Sequence, residues 1–72
     1  MANINATDNL FASATIMGRQ VFQFAGSGIG SLGELINRVR NTPGLMSGLV
    51  TLTVRNTSQG WSQSRDFYLA AV

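Results

Sequence analysis

The sequence predicts a two-layer α+β domain of order ββαββ, with two β-hairpins flanking one helix that packs on one face of a four-stranded sheet. Three observations carry this. A single stretch, Ser31 to Gly44, has a helical period with start and stop signals at its ends. The stretches on either side alternate apolar and polar residues with a period of two. Each of those is broken by turn chemistry, at Met17-Gly18-Arg19 and at Thr57-Ser58-Gln59-Gly60.

Taken in order, Met1 to Asn9 is polar and Asn-rich and is expected to be a flexible N-terminal arm, leaving residues 10–72 as the single domain. In the first hairpin Leu10, Ala12, Ala14 and Ile16 share one parity, and Phe22 and Phe24 return on the same parity. Opposed residues then sum to an even number, which asks for an odd loop. A three-residue turn, Met17-Gly18-Arg19, supplies it. Small Ala12 and Ala14 would face bulky Phe24 and Phe22. Gly26-Ser27-Gly28-Ile29-Gly30 reads as the connector into the helix.

The helix opens on an S-x-x-E capping box, Ser31 and Glu34, in which the Ser31 hydroxyl accepts the Glu34 N–H and the carboxylate reaches back to the N–H of Ser31. Leu32, Leu35, Ile36 and Val39 form the apolar stripe. Glu34 and Arg38, four apart with the acid first, are expected to pair for ~0.3 kcal/mol. Pro43 ends the helix by disfavouring helical geometry at Thr42, so the helix is expected from Ser31 to about Asn41. In the second hairpin Val50, Leu52 and Val54 are even while Phe67, Leu69 and Ala71 are odd, which asks for an even loop of four or six residues. The six-residue loop, Thr57 to Ser62, is favoured because it pairs Leu52 with Phe67 and Val50 with Leu69. The expected core is Ile16, Phe22, Phe24, the helix stripe, Val50, Leu52, Val54, Phe67 and Leu69. The other sheet face, with Phe11, Val21, Arg55, Asp66 and Tyr68 among its polar residues, has nothing left in the chain to cover it.

Composition removes most chemistry. The 72 residues contain neither cysteine nor histidine, so the usual metal ligands and the usual general base are missing. The acids are three, Asp8, Glu34 and Asp66, scattered along the chain. Serines lack a His, Cys or Lys to activate them. The expectation is a protein that is not an enzyme, with no catalytic residues, no metal, no cofactor and no small-molecule substrate. Apolar runs are too short to span a membrane, and the first residues lack the charged and apolar regions of a signal peptide, so a cytoplasmic location is expected. Asn5-Ala6-Thr7 and Asn56-Thr57-Ser58 match the glycosylation sequon, which matters in a secretory setting alone.

Macromolecular partners remain. All five cations are arginines, and the net charge is +2; a pI near 10.6 reflects how late arginine titrates more than a large excess of charge. Arginine offers bidentate and stacking contacts that lysine does not. Arg19, Arg55, Trp61, Arg65 and Tyr68 are therefore the candidate set for single-stranded nucleic acid, with the aromatics stacking on bases and the arginines on phosphates. Packing of Trp61 over the sheet edge is the competing reading of that residue. Gly26, Gly28 and Gly30, between a strand and a helix N-terminus, suit an anion-binding loop. They lack the Lys of a P-loop and the spacing of a dinucleotide fingerprint, and a flexible connector is the favoured reading of them. A chain this short without disulfide or metal often gains core by self-association, so a homo-oligomer is expected, and Phe11, Val21 and Tyr68 on the uncovered face are the candidates for its contact. An assembly module that binds protein and no nucleic acid is the alternative function.

Overall fold

A computed structural model describes residues 3–70. The elements are β1 (Leu10–Ile16), β2 (Arg19–Gly26), α1 (Leu32–Arg40), β3 (Gly48–Asn56) and β4 (Trp61–Leu69), the expected ββαββ order. Ala71, expected at the end of the last strand, lies outside the described residues. The four strands form one sheet of order β2-β1-β3-β4 with every pairing antiparallel. β2 and β3 thus run parallel on either side of β1, and α1 is the crossover that carries the chain from the edge strand to the inner one.

The helix caps much as its sequence dictates. The Ser31 hydroxyl accepts the Glu34 N–H at 3.2 Å, and the Glu34 carboxylate reaches back to a backbone N–H. The donor is Gly30, at 3.0 Å, and not Ser31. That engagement directs Glu34 toward the helix start. Arg38, expected to pair with it, instead lies over the Phe24 ring on β2, its guanidinium carbon 5.2 Å from the centroid. Arg40 mirrors it over Phe67 on β4 at 5.9 Å. The two arginine stems extend the helix's cover toward both sheet edges while their charged heads stay wet.

Leu35 and Val39 are fully buried in one core cluster with Leu10, Ala12, Ala14 and Ile16 of β1 and Val50, Leu52 and Val54 of β3. The small alanines on inner strand β1 leave room for the helix to approach. A nine-residue helix covers ~13 Å, short of strands that run ~23 Å. Loop residues complete the layer: Ile29 is fully buried and Leu45 is half-buried against the core. Leu10 and Ile29 thus belong to the core although neither was expected there, whereas Phe22, Phe24, Leu32, Ile36 and Phe67 are only partly buried.

Both hairpins keep the expected face but change their turns. Ala12 opposes Phe24 and Ala14 opposes Phe22, as parity required. The turn, however, has two residues, with Met17 at φ 54° and Gly18 at φ 78°, and Ile16 opposes Arg19. A bulge at Val21, between the Ala14 and Thr15 pairings, absorbs the odd residue. The bulge also turns Val21 to the helix side, where it packs on the core. The second hairpin takes the four-residue loop, not six: Asn56 opposes Trp61 and Val50 opposes Phe67. Asn56 drives that choice. Its carbonyl accepts the Gly60 N–H at 2.8 Å, and its side chain Oδ1 accepts the Gln59 N–H at 2.9 Å. Gly60 completes the loop with φ 76°.

Residues 3–9, expected as an arm, carry specific partners here. Gly28 donates to the Ala6 carbonyl, Thr57 to the Asn9 carbonyl, and Asn9 to the Ser58 hydroxyl. No helix among the described residues is long and apolar enough to cross a membrane.

Candidate functional site

Directly opposed residues share a face, so the pairing register sorts the polar side chains onto two sides of the sheet. The open side carries Phe11 beside Arg55, Ser13 beside Thr53, and Thr15 beside Thr51. Across to β4, Thr53 stands by Ser64, Thr51 by Asp66, and Leu49 by Tyr68. Thr53 Oγ1 and Ser64 Oγ share a hydrogen bond of 3.2 Å. Phe11, Leu49 and Tyr68 are 55%, 45% and 78% exposed, so the apolar surface of this side lies toward its two ends with hydroxyls between. Its charges, Arg55 and Asp66, cancel.

The helix side is different in charge. Arg65 opposes Leu52 and Arg19 opposes Ile16, which places both on this side with Arg38 and Arg40 of the helix. Four of the five arginines therefore stand on one side of the sheet. Among the described acids, Asp8 and Glu34 have their carboxylates engaged by N–H donors, and none of the arginines takes part in an ion pair among the described residues.

The nucleic-acid set expected from sequence is thus divided. Arg55 and Tyr68 are on the open side, about six residues apart along the strands, ~20 Å. Trp61, Arg65 and Arg19 are on the other side. Trp61 begins β4 instead of lying in a loop, is half-buried, and packs on the core. Its indole Nε1 is buried with no hydrogen-bond partner among the described residues. The self-association set loses Val21 to the bulge and keeps Phe11 and Tyr68.

The glycine loop is not an open anion cradle. The Gly28 N–H is used by Ala6, and the Gly30 N–H by the Glu34 carboxylate, which puts a negative charge where an incoming anion would sit. Gly26 and Gly28, at φ 139° and 98°, serve the turn from strand to helix.

Sequence reasoning gave no role to the residues that close the sheet at this end. Asp8 is buried, and its Oδ2 accepts from the Asn5 N–H at 3.0 Å, Asn56 Nδ2 at 2.8 Å and Gln59 Nε2 at 2.6 Å. These donors, the Asn5 N–H foremost and then Asn56, hold the Asp8 carboxyl below its ordinary value against the opposing effect of burial. Local spacing between Asn5 and Asp8 is a turn signal, but nothing local links Asp8 to Asn56. Asn56 is fully buried, which leaves its sequon closed to a modifying enzyme. Among the described residues no group of His, Cys, Asp or Glu is arranged to hold a metal.

No protein-family model matches this chain, nor does any curated protein or any solved structure.

Proposed function

We propose that this protein is a small non-enzymatic binding module that engages single-stranded nucleic acid through the arginines on the helix side of its sheet. One observation carries the reading: Arg19, Arg38, Arg40 and Arg65 stand on one side with no ion-pair partner among the described residues. Unpaired guanidiniums are available for bidentate phosphate contacts. The placement of Arg38 and Arg40 over phenyl rings favours the reading further, because it restrains the two side chains before a ligand arrives. Arg40 and Arg65 flank Phe67 on the β4 side and form the centre of the contact. Arg55 and Tyr68, on the other side of the sheet, take no part.

Titration with short single-stranded oligonucleotides tests this. With two to four phosphate contacts, log affinity falls against log salt with a slope of about −1.5 to −3. Arg40→Ala and Arg65→Ala each make the slope shallower by ~0.7, whereas Arg55→Ala leaves it unchanged. Absence of binding at low salt overturns the reading.

A further inference from the structure

The open side of the sheet is self-complementary, and from this we infer that its occupant is a second copy of the same chain. The argument starts from where the register puts the charges. Arg55 lies in the same row as Phe11, toward one end of the strands. Asp66 lies two rows away on β4, one row short of Leu49 and Tyr68 at the other end. Within one chain Arg55 and Asp66 are on the order of 14 Å apart, too far to pair. Each is an exposed charge on a face otherwise built of hydroxyls, the side-chain amides of Gln20 and Gln23, and apolar side chains.

A two-fold axis lying in the plane of a face-to-face contact, roughly across the strands, exchanges the two ends. It brings Arg55 of one copy over Asp66 of the other, and by symmetry Asp66 over Arg55. The same operation brings Phe11 of one copy to Leu49 of the other. Both pairings step one strand in the same direction, from β3 to β4 for the charges and from β1 to β3 for the apolar pair. A single operator therefore makes both. One strand of offset over two to three rows sets the two sheets at roughly 30–40°, close to the ~30° of aligned sheet packing. An open face carrying two like charges would have no such solution.

The contact is small. Four strands ~4.8 Å apart and ~20 Å long give a footprint of roughly 400 Å², below the ~800 Å² per partner of a standard stable interface. The dimer is accordingly weak, forming above micromolar concentration. It leaves both helix sides facing outward, so it is independent of the nucleic-acid reading.

Sedimentation equilibrium at low salt, from about 10 μM to about 1 mM, tests the inference. The wild-type chain is expected to shift from its 7.7 kDa monomer toward twice that mass as concentration rises. Arg55→Asp and Asp66→Arg alone each place like charges in contact and weaken self-association by about tenfold or more. Mixed in equal amounts, the two variants associate with each other, because each cross-contact again joins an arginine to an aspartate. A wild-type chain that stays monomeric throughout overturns the inference. So does a wild-type dimer whose two charge variants fail to associate when mixed.

Discussion

The two ends of the sheet are finished in different ways. Where β1 starts and β3 ends, residues 3–9, Asn56 and the β3–β4 loop close on the Asp8 carboxylate through hydrogen bonds of 2.6 to 3.0 Å. Asn56 there is fully buried. At the opposite end the β1–β2 turn and the approach to β3 leave Met17, Met46, Leu49 and Tyr68 between 45% and 91% exposed. A buried polar network must be complete to be stable, so the first end tolerates little change. Exposed apolar side chains make few contacts to lose, so the second end is free to vary or to meet a partner.

The largest test of that contrast is removal of Asn56. Asn56→Ala takes a donor from Asp8 and an acceptor from the Gln59 N–H, and is expected to cost about 1–3 kcal/mol. Met46→Ser at the opposite end should stay within about 0.5 kcal/mol. Urea unfolding of both variants measures the difference. Equal losses would show that the polar network contributes nothing beyond packing.

A smaller effect is expected from acid. The Asp8 carboxyl is held below its unfolded value, so its contribution is fully present above ~3.9 and is lost as pH falls through the folded value. Wild-type stability should decline below about pH 4, while Asp8→Asn, weaker at neutral pH, should decline less, the two converging at low pH. Parallel curves from chemical denaturation across pH 2 to 7 would place the titrating group elsewhere.

The smallest expected change is a gain. Met17 occupies a left-handed position, φ 54°, in a two-residue hairpin turn where Asn-Gly is the preferred pair. Met17→Asn keeps Gly18 and should stabilise by on the order of 0.5–1 kcal/mol. A thermal melt that does not rise would mean that the Val21 bulge, and not the turn, limits this end.

The sequence by itself determined the element order, the helix bounds and the inward parity of the strands. Each follows from short-range rules: a cap three residues from its partner, a proline at the helix end, and side chains that alternate along a strand. It also determined which side chains are unavailable, since no fold restores histidine or cysteine. The loop lengths were decided by tertiary structure. Two residues plus a bulge satisfy the same parity as a three-residue turn, and the choice of four over six in the second hairpin belongs to Asn56, whose Asp8 partner lies 48 residues away. The site was divided for the same reason. Arg55 and Arg65 look like neighbours across a hairpin, yet a register in which Arg55 opposes Ser62 and Leu52 opposes Arg65 sends them to opposite faces. The strand order, which places β1 between β2 and β3, depends on how the crossover packs its one apolar stripe, and that is a property of the whole layer.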